Sequence, residues 1–396
     1  MFRWIAAFWL SLSSLSSAGA QDHASAETYH RKGMALYRSH DFAGALRELA
    51  RAVEIDPHYA EAWNDLAVIH RQQGDLTGAI HGFRNAIAEK PGFAGAVYNL
   101  SLALEASRDI RGAIEQVRRV IALVPRLPQG HALYGRLLAD RNQLESARNE
   151  FRRALELDSS LTNARTGLGA VLFKLGMVNE ALRELQQAVL QDPNSAQAHF
   201  QLGLAWFANG AQQEARTEFE RAITLAPDLA EARINLGQLQ ENENRMAEAI
   251  SQYREALRAS PASADAALRL SRALIKTQAL HDARIALDGA IGKHPRDPAL
   301  RFELGRLMAM QGDREGALRE LKTAIQFNPK VSEYYLELSR VLHDLGKPDE
   351  QKSALEAAVR IDPNSVEPRY ALATLARQTG DSSASRQQFA KVQQLR

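Results

Sequence analysis

The sequence predicts an all-α protein, a superhelical solenoid of about eleven 34-residue helix-turn-helix repeats. Three observations predict it: prolines recur at a fixed spacing, the apolar residues between them follow the helical period, and small residues recur at matching places. The prolines stand at 57, 91, 125, 193, 227, 261, 295, 329 and 363, so every gap is 34 residues or twice 34. The one missing member falls at Ser159, which occupies the equivalent turn.

Counting back from these turns places the first repeat at Ala26, so that the predicted solenoid covers residues 26–396. Positions within each repeat are numbered here from its first residue. A short N-terminal segment, 21–25, precedes the first repeat. The predicted repeats begin at 26, 60, 94, 128, 162, 196, 230, 264, 298, 332 and 366.

A break near position fifteen divides each repeat into two predicted helices. Eight of the eleven repeats carry Gly or Asn there, and both residues tolerate the left-handed conformation that ends a helix. The proline between repeats then ends the second helix, since it cannot donate to the helical hydrogen-bond ladder. These eight residues are Gly74, Asn142, Gly176, Gly210, Asn244, Gly312, Gly346 and Gly380.

Other positions recur just as regularly. Position eight is always Gly, Ala or Ser, as at Gly33 and Ser101, which predicts that two helices approach closely there. Position seven is leucine in nine repeats, and alanine recurs at positions twenty and twenty-seven, as at Ala45 and Ala52. Position twenty-four is always apolar, for example Phe151. Because one hairpin cannot bury its apolar side alone, neighbouring hairpins are expected to stack.

This order of small, alanine, apolar and proline positions resembles the tetratricopeptide repeat family, and the resemblance covers all but the first twenty-five residues. It implies a right-handed superhelix whose concave face is lined by the first helix of each repeat. It also implies binding of a protein or peptide partner on that face. Helical spacing puts positions two, five, nine and twelve on one face of the first helix.

Residues 1–20 have the layout of a secretory signal peptide. Arg3 precedes an apolar stretch from Ile5 to Leu15, and small residues ending at Ala20 follow. The stretch is too short to span a bilayer, which needs about 20 residues. We therefore expect cleavage after Ala20, a periplasmic or secreted protein, and no stable membrane insertion.

Composition excludes several classes of function. Forty-nine basic against forty-seven acidic residues leave a formal charge of +2, too little for the broad positive field that attracts nucleic acid. The chain has no cysteine, and it has no zinc-binding helix motif, nucleophile elbow or phosphate-binding loop. We therefore expect no catalysis, cofactor or metal. The histidines are interpreted as solvated or capping residues, and carboxylates such as Glu150 and Glu218 as a solvated outer face.

Two groups on the predicted binding face are candidate partner-binding residues. The first is apolar: Phe173, Phe200, Leu204 and Phe207 occupy binding-face positions in the fifth and sixth repeats. They form either an exposed patch that anchors a partner or rings that pack between repeats.

The second group is basic, with Arg272, Arg306 and Arg340 at position nine of three successive repeats. Stacked arginines suit carboxylate or phosphate recognition. Alternatively, Glu303 and Glu337 neutralise them in a solvated charge ladder. The asparagine that the family's carboxylate clamp needs at position nine is absent from every repeat, so that mode does not carry over.

The leading hypothesis is a non-catalytic scaffold that binds an extended peptide or protein partner on its concave face. The alternative is a periplasmic component of polysaccharide secretion or cell-envelope assembly, which would bind an acidic polysaccharide through the arginines.

Overall fold

The computed structural model describes residues 21–395, so the predicted signal peptide lies outside the described residues. Within this range the chain forms twenty-two α-helices and no strand, which confirms the predicted all-α repeat solenoid. The first helix, α1, covers residues 21–38. The others are α2 (Phe42–Ile55), α3 (Ala60–Gln72), α4 (Leu76–Glu89), α5 (Ala94–Ala106), α6 (Ile110–Leu123), α7 (Pro128–Asp140), α8 (Leu144–Leu157), α9 (Thr162–Lys174), α10 (Val178–Gln191), α11 (Ala196–Ala208), α12 (Gln212–Leu225), α13 (Ala230–Asn242), α14 (Met246–Ala259), α15 (Ala264–Lys276), α16 (Leu280–Lys293), α17 (Pro298–Met310), α18 (Arg314–Phe327), α19 (Ser332–Asp344), α20 (Pro348–Ile361), α21 (Val366–Gln378) and α22 (Ser382–Leu395).

The odd-numbered helices from α3 to α21 begin at the residues where the sequence places the repeat starts. The short N-terminal segment 21–25 is helical and continuous with the first helix of the first repeat. Two contacts hold this extension. Nδ1 of His23 lies 2.5 Å from Oδ2 of Asp56, and the His23 ring meets the edge of Tyr59 with their centroids 5.0 Å apart.

The described part of the chain divides into two compact units, one ending at residue 193 and the other beginning at residue 194. The first contains α1 to α10 and the second α11 to α22. In each unit the core lies between the two helices of a hairpin and between neighbouring hairpins. Phe83 and Val117 are fully buried in the first unit, and Tyr253 and Leu287 in the second.

The small residue at position eight faces the apolar residue at position twenty-four of the same hairpin. A Cβ atom added to Gly203 would lie 2.6 Å from the ring of Phe219, and one on Gly237 would lie 2.6 Å from the ring of Tyr253. Real Cβ contacts are never so short, so these rings occupy the space that a larger residue would need. The predicted close approach of the two helices is confirmed.

Position fifteen takes the left-handed conformation in all eleven repeats, including the three that lack Gly or Asn. Those three residues are His40, Arg108 and Gln278, with φ of 64°, 67° and 62°. The turn has the same geometry everywhere because its backbone hydrogen bonds recur, as in the bond from the amide of Asp41 to the carbonyl of Leu36 at 2.9 Å. At these three places the hairpin imposes on an ordinary side chain a backbone that favours glycine.

A recurrent side-chain hydrogen bond, which the repeat pattern did not predict, joins successive repeats. The donor stands at position four and reaches the carbonyl oxygen of the turn six residues earlier. His131 is one such donor: its Nε2 lies 3.0 Å from the carbonyl oxygen of Pro125, and its Nδ1 lies 2.7 Å from Oε2 of Glu150. The donors are Trp63, His131, Arg165, Arg233, Arg301, Tyr335 and Arg369.

The burial of two histidines and their pairing with glutamates correct two expectations about polar residues. His131 and His199 are buried, with 7% and 6% of their surface exposed, although the histidines were interpreted as solvated or capping. Their partners Glu150 and Glu218 hold these two rings, although they were assigned to a solvated outer face. Exposed His58, in the turn before α3, does match the expectation.

Candidate binding surface

The basic row consists of Arg272 on α15, Arg306 on α17 and Arg340 on α19. Their side chains are 48%, 38% and 55% exposed. All three lie in the second compact unit. The structure therefore leaves the three guanidinium groups partly open to solvent at position nine of successive first helices.

Each arginine of the basic row is also paired with a carboxylate. Glu303 is fully buried and accepts a bond from Nε of Arg272 at 2.6 Å and another from Nη1 of Arg306 at 3.3 Å. Arg340 donates to Glu337 at 2.7 Å and also pairs with Glu367. The charge ladder that the sequence left open is present, yet its central carboxylate is buried and not solvated.

Aromatic side chains support the middle of the basic row. The guanidinium carbon of Arg306 lies 5.7 Å from the ring centroid of Phe302, and the Phe302 ring stacks on Tyr334 with centroids 4.6 Å apart. Burial raises the pKa of Tyr334. The bond to Glu303 and the ring beneath it hold Arg306 in place, so less side-chain entropy remains to be lost on binding.

An open depression of about 420 Å³ lies between α19 and α21, at one end of the basic row. Its lining includes Arg340, His343, Glu367 and Tyr370. Tyr370 is 52% exposed, and it is the only aromatic residue among the large exposed apolar ones on a first helix in the described chain. Tyr370 stands at position five of its repeat, on the predicted binding face, but nothing in the sequence marks it as exposed.

The apolar candidates are packed to different degrees. Phe200 is only 8% exposed, and its ring centroid lies 6.2 Å from that of Phe219, so this residue matches the packed alternative and not the exposed patch. Leu204 and Phe207 are partly buried against the same core cluster. Phe173, in the first compact unit, is also partly buried. A partner finds little of the Phe200 ring to contact, because the neighbouring helix α12 covers it.

Residues 21–395 contain no group of three or more His, Asp or Glu side chains placed to hold a metal ion. In the same part of the chain, no helix combines the length and apolar character needed to cross a bilayer.

Comparison with protein families agrees with the repeat architecture. Models described as tetratricopeptide repeat match residues 30–94, 166–230, 219–264, 242–301 and 332–365, and one described as TPR repeat matches residues 135–176. Among the curated proteins, none matches this chain.

Solved structures resemble this chain at low sequence identity. A tetratricopeptide repeat protein from Parabacteroides merdae ATCC 43184 is 16% identical with a TM-score of 0.54, and the match covers 63% of this chain and 99% of that protein. Yeast Tom70 is 15% identical over 94% of this chain and 92% of its own, with a TM-score of 0.45. YrrB, a protein with an unusual peptide-binding site, is 22% identical over 46% of this chain and 95% of its own, with a TM-score of 0.39.

The recurring hairpin, the small position eight opposite an apolar position twenty-four, and the family matches along both compact units agree with one another. Repeats of this kind typically form non-catalytic scaffolds that bind protein or peptide partners. This chain belongs to the tetratricopeptide repeat family.

Proposed function

We propose that this protein is a periplasmic or secreted scaffold that binds an extended segment of a protein partner along the first helices of its later repeats. The observation that carries the proposal is the basic row together with the depression beside Arg340. A half-exposed guanidinium and a half-exposed tyrosine ring, Tyr370, line the same depression. Arginine and tyrosine are enriched among the residues that dominate binding energy at protein interfaces.

The chemistry of these residues favours a partner segment that carries both a carboxylate and an apolar or aromatic side chain. Arg340 offers donors arranged for bidentate pairing. Of its two present partners, Glu337 is 14% exposed, whereas Glu367 is 63% exposed and therefore easily displaced. The export part of the proposal is supported by the pattern of residues 1–20 alone.

The test is affinity capture from an envelope extract with the wild-type protein and with the variants Arg340→Ala and Tyr370→Ala. Both side chains are more than half exposed, so the variants are expected to fold normally, which circular dichroism checks. Arg258→Ala is the control matched in charge, because the Arg258 side chain is 72% exposed on a second helix, α14.

We expect one partner protein to be retained by the wild type and by Arg258→Ala and to be lost from the other two variants. Equal retention by all four proteins would refute the depression as the binding site. Retention of an acidic glycan instead of a protein would favour the polysaccharide alternative.

A further inference from the structure

Three arginines of the first compact unit surround an open depression of about 360 Å³ between the start of α6 and the end of α7. None of them belongs to the basic row or to the depression beside Arg340. All three are exposed. The depression is lined by Arg108, Asp109, Ile110, Arg111, Asp140 and Arg141.

The repeat pattern does not require any of these arginines. Arg141 stands at position fourteen of its repeat, Arg108 at position fifteen and Arg111 at position eighteen. Each is the only arginine or lysine at its position in the eleven repeats of the sequence. A residue needed to build the hairpin would recur, as the small residue at position eight does. The hairpin therefore does not explain why arginine stands at these three positions.

Arg108 also stands where a long side chain is disfavoured. Its φ of 67° is left-handed, and eight of the eleven repeats place Gly or Asn at this position. A left-handed backbone is strained for a residue with a Cβ atom, as it also is at His40 and Gln278 in the equivalent turns. The chain carries an arginine there at a cost to folding.

The charges around the depression are poorly balanced. In the part of the chain that the structure describes, none of the three guanidinium groups forms an ion pair, whereas the arginines of the basic row all do. The Asp109 carboxylate accepts a bond from the amide of Gly112 at 2.9 Å, so it is committed to the start of α6. Asp140 is the other acidic residue in the lining.

We propose that this depression binds a phosphate group of a small molecule or polymer. Guanidinium groups are planar and always charged, and they pair with the oxygens of phosphate through two parallel bonds. Three of them around one depression provide more donors than a single phosphate group has oxygens, which suits a diphosphate as well.

The test is calorimetric titration of the purified protein with inorganic phosphate and with pyrophosphate at low ionic strength. Saturable binding is expected for pyrophosphate, weaker binding for phosphate, and loss of affinity with added salt. Arg111→Ala and Arg141→Ala are each expected to weaken pyrophosphate binding by about tenfold or more. Arg183→Ala, which removes an exposed arginine from α10, should leave it unchanged.

The variant Arg108→Gly distinguishes an effect on pyrophosphate binding from an effect on stability. The variant is expected to melt at a higher temperature than the wild type, because glycine relieves the left-handed strain, and yet to bind pyrophosphate at least tenfold more weakly. Absence of saturable binding for both probes would overturn the proposal. Unchanged affinity in Arg108→Gly, or equal weakening in Arg183→Ala, would also overturn it. None of these outcomes depends on the partner proposed above.

Discussion

Nε of Arg272 donates a 2.6 Å hydrogen bond to Oε1 of Glu303, a carboxylate with no solvent exposure, one repeat further along the chain. Arg306 binds the same carboxylate from within its own helix. Burying a carboxylate costs free energy, and the two arginines offset that cost, so Glu303 is tied to the basic row both structurally and electrostatically.

Glu303→Gln is therefore expected to destabilise the protein by about 1–3 kcal/mol, because two guanidinium groups lose their shared counter-charge. This loss is smaller than the roughly 3–5 kcal/mol typical of breaking a buried ion pair, since both arginines are partly exposed. Chemical denaturation measures the change. Glu367→Gln, which removes a 63% exposed carboxylate, is the control and should change stability by less than about 0.5 kcal/mol. Equal changes in stability for the two variants would contradict a contribution from the buried Glu303 ion pair.

Gly203→Ala is expected to destabilise the sixth repeat by about 1–3 kcal/mol, since the new methyl group would meet the Phe219 ring in a filled core. Gly289→Ala in α16 is the matched control, because beyond its own helix backbone no atom lies within 4 Å of its added Cβ. That change should stabilise the protein by about 0.5–1 kcal/mol. Thermal melting of the two variants compares them, and a neutral Gly203→Ala would contradict the close helix approach.

Gln278→Gly is expected to stabilise the protein by up to about 1 kcal/mol. The φ of 62° costs a residue with a Cβ atom more than it costs glycine, and the greater freedom of glycine in the unfolded chain offsets part of the gain. The reciprocal change, Gly312→Gln at a φ of 84°, should be destabilising. Changes of the same sign in both melting temperatures would rule out backbone strain as the cause.

His131→Arg is expected to preserve stability, because arginine makes the equivalent bond to the turn carbonyl in four other repeats. His131→Ala should cost about 1–3 kcal/mol, since the Pro125 carbonyl and Glu150 both lose their partner. Denaturant titration distinguishes the two variants. Equal losses would show that ring packing, and not hydrogen bonding, is what position four contributes there.

The pair of His58 and Glu89 predicts a pH dependence. The Glu89 carboxylate, 2.8 Å from Nδ1 of His58, raises the pKa of His58 above its ordinary 6.5. A raised pKa in the folded state means that the pair stabilises fully below the unfolded value and that this stabilisation is lost as pH rises through the folded value. The melting temperature of the wild type minus that of His58→Gln should therefore shrink between about pH 6 and about pH 8.5. A constant difference would contradict the pairing.

The sequence by itself determined the repeats and the close contact inside each hairpin. These follow from residues within one 34-residue interval, where a small position eight and an apolar position twenty-four meet across one turn. The turn conformation at Arg108 and Gln278 was missed, because residue type at those positions disagrees with the backbone that the rest of the hairpin imposes.

Only the tertiary structure decided which side chains on the first helices are available. Phe200 and Tyr370 both stand at position five of their repeats, yet Phe200 is buried and Tyr370 is half exposed. The position of a residue along a helix determines the direction in which its side chain points. Whether that side chain is buried depends on how the adjacent helices pack over it. That covering is a property of neighbouring repeats in contact, which a pattern within one repeat does not contain.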